Sequence, residues 1–333
     1  MTGPMRARIL AADDPAALTE AAERLARGDL VAIPTETVYG LAGASTMADA
    51  VARIYAAKGR PSHNPLISHV SGIAMAERYV SFDDRSRALA QAFWPGPLTL
   101  VLPLLPGPGI DASTTAGGPT AAIRAPRGFA HELITRLDLP LAVPSANRSG
   151  RISPTRAEHV LADLGDRVAL IIDGGPTEIG VESTVVRVRP DGIDILRAGV
   201  ITPEQIAEAA GFDKSDVTAL QGDKGVLISP GMLSSHYAPR ALMRLNAQEV
   251  APGEALITFA GQRLPGQEQA ALVLDLSPTG DLAEAARELF GLLHQADATG
   301  AASIAVAPIP DHGIGTAILD RLTRAAAPRD GTA

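Results

Sequence analysis

Residues 30–41 read LVAIPTETVYGL, and they decide the fold class. The apolar run at 30–33 predicts a short buried strand, which ends because the proline after it cannot donate to a sheet. A helix is predicted before this strand. It begins at Asp14-Pro15, a cap with proline in the first turn, and it ends at Gly28. A helix, a strand and then a polar loop indicate an α/β layer structure.

The same alternation continues through the first two thirds of the chain. Further helices are predicted at 46–58, 84–93, 128–137 and 155–163, with one more starting at Thr202-Pro203. Further strands are predicted at 66–70, 98–102, 120–125, 141–143, 168–172 and 183–188. We therefore expect an α/β (α+β) fold with a twisted, mixed and partly parallel sheet packed against helices.

The last third of the chain has a different organisation. Residues 211–239 are rich in Gly, Ser, Asp and Pro and lack periodicity, which is typical of a linker. Beyond them, strands are predicted at 255–259, 271–276 and 303–307, and helices at 281–296 and 314–326. This alternation of strands and helices predicts a smaller, Rossmann-like three-layer α/β domain. The chain should then divide into 1–210, 211–239 and 240–333.

Composition excludes several classes of protein. With 333 residues, 46% of them hydrophobic and 20% charged, the chain can bury a large core and does not resemble a disordered protein. It contains no cysteine, which excludes a disulfide scaffold, a thiolate metal site and a cysteine nucleophile. A net charge of −8 argues against a non-specific nucleic-acid binder. No apolar run is long enough to span a membrane or to act as a signal peptide, so we expect a soluble, cytoplasmic protein.

Common catalytic and nucleotide-binding signatures are missing from the sequence. It contains no GxxxxGK[ST], GxGxxG, HExxH or GxSxG motif. The seven histidines are scattered without ligand spacing, so no resident transition metal is expected. A nucleotide would have to be bound without a Walker loop.

The polar loop after the first strand is the first candidate site. Ligands of α/β proteins bind where strands end, and Thr35 and Thr37 offer hydroxyl groups there. Glu36 is expected to anchor the loop. A hydrogen-bonded turn without a ligand is an equally good interpretation of this spacing.

A second candidate is KGRPSHNPL at 58–66, at a predicted helix end. The cations Lys58 and Arg60, with Ser62 nearby, suit phosphate or carboxylate binding. The alternative is C-capping, since Gly59 can end the helix and cations favour its C-terminus. Only three of the 29 basic residues are lysines, which slightly favours a function for Lys58.

Two further segments carry hydroxyl and cationic side chains after strands. Arg124 lies in a predicted apolar strand, where it needs an anion; a ligand and a structural ion pair are equally good partners. PSANRSG at 144–150 precedes a helix whose N-cap is predicted to be Ser153 or Thr155, and such a terminus can bind phosphate. Since carboxylates are rare in these loops, the set predicts an anionic ligand rather than acid–base chemistry.

Taken in order, these segments resemble a known family. PTETVYGL (34–41), KGRPxxNPL (58–66), WPGPLTL (94–100), RxP (124–126), PSANxSG (144–150) and ESTV (182–185) resemble the YrdC-like domain. SPGMLSSHYAP (229–239) resembles the linker of the two-domain threonylcarbamoyl-AMP synthases. The resemblance covers nearly the whole chain, with 240–325 matching less sharply.

The resemblance implies a reaction and its participants. ATP, L-threonine and bicarbonate would give L-threonylcarbamoyl-AMP, pyrophosphate and water, with Mg²⁺ carried by the ATP phosphates. The product would pass to the tRNA threonylcarbamoyl transfer machinery, which modifies the adenosine beside the anticodon. Weak contact with RNA is also implied.

The resemblance also assigns roles to individual residues. ATP would contact Lys58, Ser62, Thr120, Ser145, Ser153 and Arg197, with Lys58 and Arg60 stabilising the pyrophosphate leaving group. L-Threonine would contact Thr35, His69, Arg124, Val143 and Ser183. His236 and Tyr237 would form a lid over the pocket. Leu233 and Ser235 depart from the family, which often has basic residues there.

Two alternative functions belong to other classes of protein. A non-catalytic RNA-binding module of the YrdC-like type is one, but single-strand binders stack bases on aromatic side chains, and only 3% of this chain is aromatic. A carbamoyl-transfer domain of a larger maturation enzyme is the other. It is disfavoured because it would need zinc-binding or acylphosphatase-like sequence.

Overall fold

The computed structural model describes residues 7–107, 109–220 and 236–328. In these residues eleven strands form one mixed sheet in the order β1-β8-β2-β3-β7-β4-β6-β5-β9-β10-β11. The strands are β1 (Arg8–Ala11), β2 (Val31–Ile33), β3 (Gly40–Ala44), β4 (Ile67–His69), β5 (Leu98–Pro103), β6 (Thr120–Arg124), β7 (Leu141–Ala142), β8 (Leu170–Asp173), β9 (Thr184–Arg189), β10 (Gly192–Arg197) and β11 (Val217–Ala219). The sheet contains parallel pairs such as β4 with β6 and antiparallel pairs such as β5 with β6, as the sequence predicts.

Helices cover this sheet, and apolar clusters lie between them and the strands. They are α1 (Ala17–Ala26), α2 (Ala48–Lys58), α3 (Ile73–Ala76), α4 (Asp84–Phe93), α5 (Phe129–Leu137), α6 (Ala157–Leu164) and α7 (Pro203–Ala210). The predicted helix signals act as expected in two places. Gly59 ends α2 in the left-handed conformation, and Thr202 and Gln205 form a capping box ahead of α7. We call this part of the molecule the large-sheet domain.

A second sheet lies in the last third of the chain. Within the described residues it has four parallel strands, in the order β12-β15-β13-β14. They are β12 (Leu242–Arg244), β13 (Ala255–Thr258), β14 (Leu272–Asp275) and β15 (Ser303–Val306), and the helices are α8 (Leu282–Ala298) and α9 (Gly315–Ala326). The two helices contact each other on one face, while connecting segments pack on the other. We call this part the C-terminal domain.

The two domains share one apolar cluster. Val38, Ile152 and Val181 of the large-sheet domain pack with Phe290 of α8 and the other core side chains of the C-terminal domain. Tyr237 belongs to the same cluster. The boundary is therefore a buried apolar contact.

Several elements differ from the sequence-based expectations. The strands β1, β3, β11 and β12 were not predicted, and β11 lies inside the predicted linker 211–239, where it pairs with β10. The rest of that segment at 221–235, with Leu233 and Ser235, lies outside the described residues.

The prediction of Ser153 or Thr155 as an N-cap is wrong. The residue before α6 is Arg156, with no side-chain cap, and the Ser153 hydroxyl donates to Glu182 Oε1 at 2.5 Å.

No helix in the described part of the chain is long and apolar enough to cross a membrane.

Candidate functional site

A narrow cavity of about 50 Å³ opens where several strands of the large sheet end. Its walls come from the β2–β3 loop, the ends of β4, β6, β7 and β10, the start of β9, and the segment before β12. The lining residues are Thr37, Val38, Arg60, Ile67, His69, Arg124, Val143, Pro144, Ser145, Glu182, Ser183, Arg197, His236 and Tyr237. Three arginines thus face one enclosed space, which suits a ligand with negative charge.

Arg124 at the end of β6 is held on two sides. Its Nη1 donates to Thr37 Oγ1 at 2.8 Å and its Nε donates to Gly96 O at 3.2 Å. Its Nη2 lies 2.7 Å from Glu36 Oε2, an ion pair in which both side chains are buried. That Nη2 makes no hydrogen bond of good geometry among the described residues, so its contact with Glu36 is an ion pair by distance. The structural ion pair is therefore present, and the same side chain lines the cavity.

Lys58 contacts backbone carbonyl groups and is not one of the residues that line the cavity. Its Nζ is buried and donates to the carbonyl oxygens of Ser145 and Asn147, both at 2.5 Å. Burial, followed by the charge of Arg60, lowers the pKa of Lys58 well below its usual value. Lys58 thus fixes the 145–147 loop, of which Ser145 lines the cavity.

Arg60 lies in the cavity wall and is tied to its own loop. Its Nη2 donates to Asn64 Oδ1 at 2.6 Å and to Pro65 O at 2.9 Å, and its Nε donates to Asn64 O at 3.0 Å. Burial lowers its pKa to about 10. The cations of this segment therefore bind neighbouring loops, while Gly59 ends α2.

Arg197 and Ser183 form the opposite wall. Arg197 Nη2 donates to Ser183 Oγ at 3.0 Å, and its Nε donates to Ser183 O at 3.0 Å. Ser183 Oγ also shares a hydrogen bond of 2.7 Å with Thr99 Oγ1. These contacts fix the guanidinium group at the end of β10.

Two buried histidines line the cavity. Burial and the nearby Arg124 hold the pKa of His69 well below its usual value, and burial lowers the pKa of His236 to about 3. Both rings are therefore neutral at pH 7. Their Nδ1 atoms have no hydrogen-bond partner among the described residues. Each ring can exchange a hydrogen bond with a ligand.

The remaining predicted site residues lie outside the cavity wall. Thr35 Oγ1 donates to Val38 O at 2.7 Å and accepts from the Val38 amide, so it shapes the loop that carries Thr37. Ser62 is exposed, and Thr120 lies at the start of β6, opposite the end that carries Arg124. Ser153 contacts Glu182. No group of three metal-ligating side chains occurs in the described ranges.

Glu182 is a cavity residue that the sequence reasoning did not assign to the site. It accepts from Ser153 Oγ at 2.5 Å and from Arg321 Nε at 2.8 Å. Although burial raises its pKa, Arg321 and Arg197 lower it more, so the net pKa lies below the usual value. Glu182 is the first residue of the ESTV motif. No residue close to it in the sequence indicates that its partner is Arg321, 139 residues away.

Comparison with known proteins places the chain in a family. Residues 23–199 match the family described as "Telomere recombination" (Sua5_yciO_yrdC), and residues 201–327 match "Threonylcarbamoyl-AMP synthase, C-terminal domain". The Bacillus subtilis threonylcarbamoyl-AMP synthase is 40% identical, over 96% of this chain and 95% of that protein. The chain belongs to the threonylcarbamoyl-AMP synthase family. The Pyrococcus abyssi synthase is 37% identical, over 92% of each chain.

A solved structure of this synthase family has the same fold. The crystal structure of Pyrococcus abyssi Sua5 complexed with L-threonine has a TM-score of 0.82 and 34% identity to this chain. The match covers 93% of this chain and 94% of that one, so both domains take part. The family resemblance expected from the sequence motifs and the two-domain α/β architecture are thereby confirmed.

Proposed function

We infer that this chain is a threonylcarbamoyl-AMP synthase, an enzyme that transfers a nucleotidyl group and supplies tRNA modification. It would convert ATP, L-threonine and bicarbonate to L-threonylcarbamoyl-AMP, pyrophosphate and water. The observation that carries this inference is the convergence of Arg60, Arg124 and Arg197 on one enclosed cavity, in a chain of this family. Such a site suits a carboxylate and a polyphosphate bound together.

The chemistry has two steps, and each needs positioned charge. The threonine amine attacks the carbon of bicarbonate, and the nitrogen–carbon bond forms as water leaves, giving a carbamate. A carbamate oxygen then attacks the α-phosphorus of ATP, and the bond to pyrophosphate breaks. Positioning and charge neutralisation supply most of the catalysis in such transfers.

For L-threonine, we propose that Arg124 pairs with the carboxylate while His69, Val143 and Ser183 complete the pocket. Four of the five residues assigned to the amino acid line one cavity, which supports this set. Thr35, the fifth, acts through Thr37, whose hydroxyl it positions.

For ATP, we propose that Ser145 and Arg197 contact the nucleotide and that Arg60 stabilises the leaving pyrophosphate. Lys58 takes part in the same site, directly once its Nζ releases a carbonyl and otherwise through the loop that it holds. Ser62, Thr120 and Ser153 are proposed at the outer parts of the nucleotide. Mg²⁺ is proposed to arrive as part of the substrate, because ATP phosphates and water can supply its oxygen ligands.

We also propose the functional division of the chain. Residues 1–210 carry the catalytic site, 211–239 form a linker whose His236 and Tyr237 act as a lid, and 240–333 form an accessory domain. The position of both lid side chains in the cavity wall supports this division. The product is proposed to pass to the tRNA threonylcarbamoyl transfer machinery.

Product analysis tests the function directly. The purified chain is incubated with MgATP, L-threonine and bicarbonate, and the products are separated and identified by mass spectrometry. The expected result is threonylcarbamoyl-AMP with equimolar pyrophosphate, lost when any one substrate is omitted. Pyrophosphate release without threonine, or the absence of the adduct, would overturn the proposal.

A further inference from the structure

Arg321 of α9 is a C-terminal-domain residue that reaches the candidate site. Its side chain is fully buried, although arginine is rarely so. It donates from Nε to Glu182 Oε2 and from Nη1 to Ala198 O, each at 2.8 Å. Asp320 Oδ2 lies 2.8 Å from the same Nη1. The charge is therefore paired across the boundary between the two domains.

The same guanidinium lies over the ring of Tyr237, with 5.4 Å between Cζ and the ring centroid. At this distance a cation and an aromatic face attract each other. Tyr237 also packs against Phe290 of α8, at 5.5 Å between centroids, and against His236, at 4.1 Å. The C-terminal domain thus supplies two of the three side chains that hold this ring.

Tyr237 needs such support because its backbone is strained. Its φ is +64°, in the left-handed region that costs a non-glycine residue about 1 kcal/mol. Residues keep such conformations only where the surroundings determine them. The flanking amides are fixed as well: His236 N donates to Arg324 O at 3.2 Å, and Ala238 N donates to Gly150 O at 2.8 Å.

Glu182 links these contacts to the cavity. It lies in the cavity wall with His236 and Tyr237, and Arg321 and Ser153 each bind one of its carboxylate oxygens. A movement of α9 would therefore change the carboxylate and the lid side chains together.

We propose that Arg321 is a positioning residue of the synthase: it couples docking of the C-terminal domain to closure of the His236–Tyr237 pair over the cavity. It does so by fixing the Glu182 carboxylate and by holding the Tyr237 ring in its strained conformation. This proposal rests on the proposed function. It gives the C-terminal domain a defined part in turnover, since the closed cavity requires α8 and α9 in place.

The test compares three full-length variants. Arg321→Lys keeps the charge beside Glu182 but removes the planar fork and the contact with Tyr237. Arg321→Met removes the charge as well and leaves Glu182 short of a buried partner. Arg244→Met is the matched control, because Arg244 pairs with Glu254 within the C-terminal domain, away from the cavity.

Two measurements separate positioning from folding. The first is KM and kcat for pyrophosphate release with varied L-threonine and ATP. Arg321→Lys should raise KM for threonine by about tenfold, because an open lid weakens ligand binding by about 1.4 kcal/mol. A purely structural defect would lower the active fraction, and hence kcat, with KM unchanged. Arg244→Met should keep both constants.

The second measurement is amide hydrogen exchange. In Arg321→Lys the amides of His236 and Ala238 should exchange faster, while those of β13 and β15 stay protected as in the wild type. Unchanged KM with unchanged exchange at these amides, in a folded Arg321→Lys protein, would overturn the proposal. So would equal loss of protection throughout the C-terminal domain. If the wild type made no adduct, the proposed function would fail, whereas the exchange result would still test the coupling.

Discussion

His69 and Arg124 occupy paired positions at the carboxyl ends of the parallel strands β4 and β6, so both side chains enter the cavity from the same edge of the sheet. This pairing explains why the imidazole stays neutral, since burial and the neighbouring cation both oppose its protonation. A neutral ring beside a fixed cation provides hydrogen bonding without adding charge.

Removal of the Arg124 guanidinium should abolish synthesis of the adenylate. Arg124→Met leaves Glu36 buried without its cation, so we also expect a loss of about 3–5 kcal/mol in the free energy of unfolding. Product formation and urea unfolding are measured on the same preparations. The control is Arg78→Met, which removes an exposed ion pair with Asp138 and should change little. Synthesis at the wild-type rate by Arg124→Met would contradict its role in binding.

Substitution of Lys58 by Met should lower kcat/KM by about 10²-fold, the usual effect of displacing a group in a binding site by about 1 Å. The physical reason is the loss of the two hydrogen bonds that fix the 145–147 loop in the cavity wall. Lys214→Met is the matched control, because Lys214 is exposed and pairs with Glu204. Equal activity of the two variants would remove Lys58 from the site.

A methyl group at residue 40 should disturb the pocket through a neighbour. A Cβ on Gly40 would lie 2.2 Å from Val143 Cγ1, so Gly40→Ala must displace a side chain that lines the cavity. We expect a higher KM for L-threonine and partial rescue by Val143→Ala in the same chain. Gly43→Ala meets only the ends of Ile54 and Leu30 side chains, at 3.0 Å, and should have a smaller effect on KM. A larger KM effect at residue 43 would refute this account.

Acid should destabilise the fold partly through the boundary between the domains. His159 of α6 stacks on His294 of α8 with 3.9 Å between centroids, and burial followed by the charge of His294 lowers the pKa of His159 to about 3. Because the unfolded state binds a proton near pH 6.5, this group stabilises the fold above that pH. The stabilisation is lost as the pH falls from about 6.5 toward 3.

His159→Gln should therefore flatten the dependence of the free energy of unfolding on pH in this range. Urea unfolding at several pH values measures the slope. His63→Gln, at an exposed position, controls for the chemical change. A slope identical to that of the wild type would show that His159 does not contribute.

Much of the fold could be predicted because periodic apolar runs and caps are local signals. Strands such as Leu98–Pro103 and helices such as Leu282–Ala298 fall where their patterns place them. Gly40–Ala44 could not be predicted, since GLAGA has weak strand propensity and forms a strand only because β2 and β7 pair on either side. Val217–Ala219 likewise depends on pairing with β10.

The residues of the candidate site also fall into two groups, those whose position the sequence predicts and those whose position it does not. Motif residues at strand ends, such as Arg124 and Ser183, line the cavity as their position predicts. Lys58 and Ser153 carry the right chemistry, but their partners are Ser145, Asn147 and Glu182, which only the tertiary structure reveals. The contact between Glu182 and Arg321 spans 139 residues, so no local pattern could report it.

The shared apolar cluster has a consequence for synthesis on the ribosome. The large sheet is complete once β11 has emerged, yet Val38, Ile152 and Val181 belong to an apolar cluster whose other buried side chains, including Phe290, lie at 237–325. A nascent chain of intermediate length would therefore expose an apolar patch, the kind of surface that attracts chaperones. In a chain shortened to the large-sheet domain, polar side chains at these three positions would reduce the apolar surface that it exposes.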